Sequence, residues 1–253
     1  MKQMKKGAAY FAALLFWGFL WQIAATRINI PFILPSPAQA LSRLGELALT
    51  KEFYTTVGSS LLRVATGFFG GVAAGALLGY LTFRFAWLDT LTTPLMVVIR
   101  STPVASFILV VLLWIGRDWV PGFISFLMVL PIVWQNTVLG FEKRDPRLSE
   151  VAQVFGFSRR KTFFRLDLPQ VFPFVISASK TGLGLAWKSG IAAEVLALPE
   201  TSIGLMIYHA KMYLETVDLY AWTLAIILFS VILEWCLIRL LNLGKGGRNA
   251  SHS

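Results

Sequence analysis

Long apolar runs are the feature that most limits how this chain can fold. Each is close to the roughly 20 residues that an α-helix needs to cross a bilayer. Six such runs occur, at Ala8–Ala25, Val57–Phe83, Pro94–Ile115, Val120–Phe141, Val171–Leu196 and Leu219–Leu241. Of all residues, 56% are hydrophobic and 14% are charged, whereas soluble domains carry roughly a quarter charged residues. We therefore predict an all-α integral membrane protein with six transmembrane helices.

The predicted spans divide the chain into three parts. Residues 1–56 form an N-terminal anchor helix and an outer loop, residues 57–242 form the core, and residues 243–253 form a tail. The first apolar run follows three lysines and lacks a small-residue cleavage site before a polar mature region. We therefore interpret it as an anchor and not as a signal peptide.

Lysine and arginine residues are divided unevenly between the two sides of the predicted bundle. With the N-terminus in the cytoplasm, fourteen lie inside: Lys2, Lys5, Lys6, Arg84, Lys143, Arg144, Arg147, Arg159, Arg160, Lys161, Arg165, Arg239, Lys245 and Arg248. Five lie outside: Arg27, Arg43, Lys51, Arg117 and Lys211. This bias predicts that both termini are cytoplasmic. The net charge of +10 then mainly reflects topology, and we expect no nucleic-acid partner.

A polar, basic stretch from Asp145 to Pro169, which we call the hairpin segment, interrupts the apolar pattern. Asp145 suits an N-cap and Pro146 suits the first helical position. Gly156 suits a C′ position, so the first helix ends there. Apolar residues at i, i+3, i+4 and i+7 form one stripe on this helix: Leu148, Val151, Ala152 and Phe155.

A second short helix is predicted after the Gly156 turn. Ser158 can cap it, and Leu168 before Pro169 favours its end at that point. The apolar side chains of the hairpin segment cannot be buried by the segment alone. It is therefore either an amphipathic loop on the inner leaflet of the lipid bilayer or a docking element for a cytoplasmic partner.

The hairpin segment resembles the "EAA" signature of permease subunits of bacterial ABC importers. That signature is Glu-Ala-Ala, three residues, Gly, nine residues, Ile, one residue and Leu-Pro. The matching positions are Glu150, Ala152, Gly156, Leu166, Leu168 and Pro169. Val151 and Leu166 depart mildly from the pattern, and its spacing is kept throughout.

Further stretches are similar to the nitrate/sulfonate/taurine branch of these permeases. They are "LPSP" at Leu34–Pro37, "GLGLAW" at Gly182–Trp187, "AAE" at Ala192–Glu194 and "IGLMI" at Ile203–Ile207, together with Arg100, Pro103, Trp114 and Gly116. Ser101, Val104, Ser106, Phe107, Leu109 and Ile115 depart from the branch pattern around the third run.

The resemblance implies a type I ABC importer permease in the bacterial inner membrane, with a coupling helix in the loop at residues 142–170. It implies two copies of this chain, two ATPase subunits and an extracytoplasmic solute-binding protein. The residues that would contact the ATPase are Glu150, Val151, Ala152, Phe155, Gly156, Leu166, Leu168 and Pro169. The chain has no G-x-x-x-x-G-K-[ST] loop, so we expect no cofactor of its own and ATP in a separate subunit.

Charged residues within the spans suggest a translocation path. Arg100, Lys188 and Glu194 would be costly against lipid, so they should face the bundle interior, a partner helix or water. With Trp187, they form the predicted path, whose cations would attract an anionic solute. The alternative is a buried ion pair between Lys188 and Glu194, which would need a second helix or a second subunit because their spacing suits no shared face.

Small residues form two stripes that allow helices to approach closely. They are Gly67, Gly71, Gly75 and Gly79 in the second span, and Gly182, Ala186, Ser189, Gly190 and Ala193 in the fifth. Either stripe can serve static packing or a gate.

The sequence thus predicts an importer subunit for a small anion such as a sulfonate, taurine or nitrate, working by alternating access, and no enzyme. The alternatives are a secondary transporter or channel for small anions, an importer of a neutral heterocyclic vitamin precursor, and a membrane-embedded enzyme. The last would need clustered polar or metal-binding residues within the spans, and we find no catalytic constellation.

Overall fold

A computed structural model describes residues 2–28, 30 and 32–249, with side chains except at 2–11, 149 and 240–249. Its helices are α1 (Lys2–Ile28), α2 (Pro37–Ala48), α3 (Lys51–Arg84), α4 (Ala86–Ser101), α5 (Val104–Leu112), α6 (Val120–Glu142), α7 (Pro146–Val154), α8 (Arg159–Thr162), α9 (Leu168–Ala197), α10 (Ile203–Met212) and α11 (Thr216–Asn249). A π-helical turn, Phe163–Asp167, joins α8 to α9. These described residues contain no strand, and the predicted all-α class is confirmed. The predicted tail begins within α11, and residues 250–253 lie outside the described residues.

Helix α6 is the centre of the bundle and packs against both α3 and α9. A methyl group added at Gly71 would lie 2.8 Å from the carbonyl oxygen of Phe126, and one added at Gly75 would lie 2.8 Å from that of Leu130. Only hydrogen side chains allow the two backbones to come this close. The predicted close approach of the α3 stripe is therefore confirmed, and its partner is α6.

The long apolar helices agree with four of the predicted spans, which lie within α3, α6, α9 and α11. By length and composition, α3, α6 and the Thr216–Arg239 part of α11 are each able to cross a membrane. Helix α9 is 30 residues long and carries Lys180, Lys188 and Glu194. The first predicted span lies within α1, where Ala12–Ile28 is a shorter apolar helix.

The third predicted span, Pro94–Ile115, is wrong as one continuous helix. The chain instead forms α4 and α5, which meet at an angle of 104°. Thr102 is extended (φ −77°, ψ 128°) because the ring of Pro103 disfavours helical geometry in the residue before it. The pair therefore forms a broken span or a re-entrant loop, with Arg100 next to the break.

Helices α2 and α10 lie at the end of the bundle opposite the hairpin segment, and both pack against α11. The Arg43 guanidinium donates to both carboxylate oxygens of Asp218, at 2.7 and 3.0 Å. These two hydrogen bonds, together with a single one to Glu46, raise the pKa of Arg43 above its ordinary value. The ion pair fixes α2 to the start of α11.

Candidate docking hairpin and intramembrane charges

The first helix of the hairpin segment begins as its sequence predicts. The Asp145 carboxylate accepts a hydrogen bond from the backbone N–H of Arg147 at 2.9 Å, and Pro146 occupies the first turn. The backbone N–H of Asp145 in turn donates to the side-chain oxygen of Gln170 at 2.9 Å. The start of α7 is thus fixed to the first turn of α9.

Gly156 ends α7 with positive φ (62°), as predicted. The N–H of Phe157 donates to the carbonyl oxygen of Ala152 at 2.8 Å, and the N–H of Gly156 donates to that of Gln153 at 3.0 Å. These two bonds define a Schellman motif, whose C′ residue must be left-handed. Glycine adopts this conformation without the steric cost that a β-carbon would add.

The second helix of the hairpin segment does not end at Pro169, contrary to the prediction. Ser158 caps α8 through the N–H of Lys161 at 3.3 Å, but the helical path then continues through the π turn into α9. The N–H of Leu168 reaches the carbonyl oxygen of Phe163 in this wider turn. Pro169, which has no N–H, therefore falls in the first turn of α9, where proline is tolerated.

Arg144 connects the hairpin segment to the bundle. Its guanidinium pairs with Asp167 and donates from Nε to the carbonyl oxygen of Phe141 at 2.9 Å. It also lies over the rings of Phe83, at 4.8 Å, and Phe141, at 5.5 Å. Both side chains of the ion pair are largely buried, at 24% and 14% exposure. The π turn is thereby tied to the ends of α3 and α6.

The predicted apolar stripe of α7 is divided between two surfaces. Ala152 is 3% exposed and packs toward the bundle. Val151 and Phe155 are exposed at 47% and 72%, and so is Val154, at 84%. The sequence analysis did not include Val154 in the stripe, although Val151, Val154 and Phe155 follow the i, i+3, i+4 spacing of one helix face. We call these three side chains the apolar face of α7.

The other predicted ATPase-contact residues lie before and after the Gly156 turn of the hairpin segment. Glu150 is exposed on α7, and Leu168 is 38% exposed at the start of α9. Leu166 and Pro169 are half-buried. The six positions of the signature therefore lie partly on the free surface and partly at the contact with the bundle.

Of the predicted path residues, Arg100 and Lys188 are exposed in this single chain. Arg100 donates to the side-chain oxygen of Gln135 on α6, which is also exposed. Lys188 lies in α9 and Arg100 at the end of α4. Both helices pack against α6, so two helices of the bundle each present a cation at membrane depth. Such charges are unstable against lipid and need water or another polypeptide beside them.

Trp187 and Glu194 are instead buried, at 1% and 0% exposure. The indole N–H of Trp187 donates to the carbonyl oxygen of Ile226 at 3.1 Å and so joins α9 to α11. Glu194 Oε2 accepts from the Ser60 hydroxyl at 2.8 Å and from the N–H of Gly204 at 3.1 Å. The carboxylate of Glu194 therefore links α3, α9 and α10.

Among the described side chains of this single chain, Lys188 and Glu194 do not form the alternative ion pair. The cation nearest to Glu194 is Arg63 of α3, whose Nη1 lies 3.7 Å from Oε1. Arg63 also donates to the carbonyl oxygens of Glu200, at 2.7 Å, and Thr201, at 3.1 Å. Thr201 has positive φ (52°), a strained conformation for a β-branched residue. Arg63 thus holds the loop between α9 and α10, a contact that no local spacing in the sequence indicates.

The fold and the hairpin segment define a polytopic helical membrane protein of the ABC-transporter permease class. The same fold occurs in the solved structure of a bacterial alginate ABC transporter in complex with its pentasaccharide-bound periplasmic protein. The match has a TM-score of 0.59 at 17% sequence identity and covers 94% of each chain. The chain belongs to the family described as binding-protein-dependent transport system inner membrane component, whose sequence profile matches residues 71–243.

Several relatives are named as permease proteins of particular transport systems. The chain is 27% identical to the putative aliphatic sulfonates transport permease SsuC of Bacillus subtilis, over 84% of this chain and 76% of the relative. It is 28% identical to the nitrate import permease NrtB of Synechocystis, over 70% and 68%. It is also 26% identical to the formylaminopyrimidine transport permease ThiX of Halalkalibacterium halodurans, over 72% of each. The sulfonate and nitrate relatives confirm the predicted branch.

Proposed function

We propose that this chain is the transmembrane subunit of an ATP-driven importer that moves a small anion across the inner membrane by alternating access. The observation that carries this proposal is the apolar face of α7. Val151, Val154 and Phe155 are exposed on a helix that matches the EAA signature and is fixed to the bundle. A short apolar stripe bordered by basic residues suits insertion into a groove of another protein.

The attachment of the hairpin segment supports its proposed role in coupling. A force on α7 passes to α9 through Gln170 and Asp145, and to α3 and α6 through Arg144. Such connected contacts can convert movement of a docked ATPase into rigid-body movement of helices. In this arrangement the hairpin segment and both termini are cytoplasmic, two ATPase subunits bind two copies of this chain, and a solute-binding protein docks at the opposite end.

An anionic solute is supported by the two exposed intramembrane cations. Arg100 and Lys188 present positive charge at membrane depth on α4 and α9. A positive potential along the path raises the local concentration of an anion without tight binding. The sulfonate and nitrate relatives agree with this class of solute.

Co-expression with its ATPase subunit tests the docking role of α7. We expect Val154→Glu to remove the ATPase from the purified complex and to abolish vanadate-sensitive uptake, while membrane yield stays normal. Leu49→Glu is the matched control, because Leu49 is 89% exposed at the opposite end of the bundle. Equal ATPase recovery from both variants, or uptake by the permease without an ATPase, would contradict the proposal.

Import of a neutral heterocyclic vitamin precursor is the second candidate, favoured by the formylaminopyrimidine relative. Mass spectrometry of the ligand retained by the purified solute-binding protein separates the two candidates. A sulfonate or an inorganic anion supports the first, and a neutral pyrimidine supports the second. Either result leaves the docking test above unchanged.

A further inference from the structure

A cleft of about 760 Å³ lies between the hairpin segment and the end of the bundle. Residues of α3, α6, α7, α8 and the π turn line it. It is separate from the apolar face of α7, since Ala152 lines the cleft while Val151, Val154 and Phe155 do not. Its volume falls in the range of about 300–1,000 Å³ that is usual for small-molecule sites.

The cleft has an excess of positive charge. Arg144 lines it together with Asp167, and these two neutralise each other in the ion pair described above. Arg84, at the end of α3, and Arg159, at the start of α8, also line it, and both are exposed. Neither has an ion-pair partner among the described side chains. Two guanidinium groups from separate elements of the fold therefore line the same cleft without an ion-pair partner among the described side chains.

The remaining wall of the cleft is aromatic. The Tyr80 ring packs at a tilt against those of Phe141 and Phe163, with ring centroids 5.4 and 5.0 Å apart, and Phe83 stacks on Phe141 at 5.1 Å. A purely ionic ligand would leave these rings in contact with water. A ligand that joins an anionic group to an apolar part would cover both kinds of wall.

The position of the cleft identifies such a ligand. It lies where α3 and α6 end, at Arg84 and Glu142, and both helices are long and apolar enough to cross a membrane. The ends of spanning helices lie at the level of lipid headgroups. Basic pockets between helices at this level suit anionic headgroups, and arginine matches phosphate by paired hydrogen bonds.

We propose that the cleft binds an anionic phospholipid, with its phosphate between Arg84 and Arg159 and its glycerol and first methylene groups against Tyr80 and Phe83. The bound lipid joins α3 to α8 across a space that none of the described residues fills. It therefore stiffens the attachment of the hairpin segment and adds to the contacts of Arg144. The site does not depend on which solute the protein moves.

Titration of the purified chain in a neutral detergent tests the site. The probes are dioctanoyl phosphatidylglycerol, dioctanoyl phosphatidylcholine and inorganic phosphate, with binding followed by calorimetry and by the shift in Tm. We expect phosphatidylglycerol to bind more tightly than the other two. Arg84→Gln and Arg159→Gln should each weaken it about tenfold, since each removes a charge-assisted hydrogen bond.

Two further variants complete the experiment. Arg160→Gln makes the same charge change next to Arg159 but outside the cleft lining, so it should bind as the unaltered chain does. Arg159→Lys keeps the charge but loses the paired hydrogen bonds of arginine, so its affinity should lie between those of the unaltered chain and Arg159→Gln.

Three results would overturn the proposal. The first is equal weakening by Arg160→Gln and Arg159→Gln, which would indicate attraction by net charge alone. The second is equally tight binding of inorganic phosphate, which would make a soluble anion the ligand. The third is absence of phosphatidylglycerol binding while Arg84→Gln lowers ATPase recovery, which would assign the cleft to the ATPase.

Discussion

At the scale of single residues, Gly156 is the position where the backbone most restricts the side chain. Its φ of 62° and the two Schellman bonds fix the angle between α7 and α8. A β-branched residue in the left-handed region costs roughly 1–2 kcal/mol or more, so Gly156→Val should displace α8. We expect ATPase recovery and uptake to fall together while membrane yield is unchanged.

Asparagine gives the control for this prediction, because it tolerates the left-handed region better than valine does. Gly156→Asn should therefore retain more coupling than Gly156→Val. Normal uptake by the valine variant would mean that the glycine does not set the turn. A β-carbon at Gly156 has no atom within 4 Å, so crowding would not account for a defect.

Glu194 is the residue where burial makes the strongest prediction about stability. Glu194→Ala would leave the N–H of Gly204 and the Ser60 hydroxyl without an acceptor, at a cost of about 1–3 kcal/mol for each unsatisfied group. We expect a clearly lower Tm for Glu194→Ala and a smaller decrease for Glu194→Gln, whose side-chain oxygen can still accept. Thermal melting in detergent measures both, and an unchanged Tm in the alanine variant would exclude this linking role.

Local sequence signals predict the contacts of Gly156 but not those of Glu194. Asp145 and Gly156 have their partners within a few residues, so capping rules are enough to place them. Ser60 and Glu194 are 134 positions apart, and nothing in their spacing indicates a contact. The burial of Ala152 was not predicted either, because a stripe on one short helix does not show which of its members face the bundle.

At the scale of helices, the contact between α3 and α6 depends on glycine at fixed intervals. A methyl group at Gly75 would lie 2.8 Å from the carbonyl oxygen of Leu130 and 2.9 Å from Cβ of Val133. Gly75→Ala must therefore separate the helices, and we expect a loss of about 1–3 kcal/mol in the free energy of unfolding. Larger residues at this position should prevent folding.

The matched control for this contact is Gly58, on the same helix. An added β-carbon there has no atom within 4 Å, so Gly58→Ala should raise helix stability by about 0.5–1 kcal/mol. The comparison is made by melting temperature in one detergent. Equal effects of the two changes would mean that close approach of α3 to α6 does not limit stability.

The two errors in predicting elements both involve proline. Pro103 breaks the third span, although an apolar run of this length favours one continuous helix. Pro169 does not end its helix, because the π turn before it supplies a wider path. The backbone conformation before a proline determines whether the helix ends there or continues past it. Residue preferences alone do not specify that conformation.

At the scale of the whole molecule, the exposed cations at membrane depth are the basis for expecting a second copy of this chain. Arg100 and Lys188 face outward from a single copy, and a second copy related by a two-fold axis can enclose them with water. We expect native mass spectrometry of the solubilised complex to give two copies of this chain for two ATPase subunits. A transport-active particle with one copy of each would contradict this stoichiometry.

The charge of the proposed solute path gives the last prediction. If Lys188 attracts the solute, Lys188→Gln should slow uptake of an anion roughly tenfold, because the local solute concentration falls. Its yield, Tm and ATPase recovery should stay normal, since the exposed Lys188 is not a partner of the buried Glu194. Lys51→Gln is the control, because Lys51 is exposed at the first position of α3, away from the proposed path. A lower yield of Lys188→Gln together with slower uptake would instead make Lys188 a structural residue, and unchanged uptake would place the solute path elsewhere.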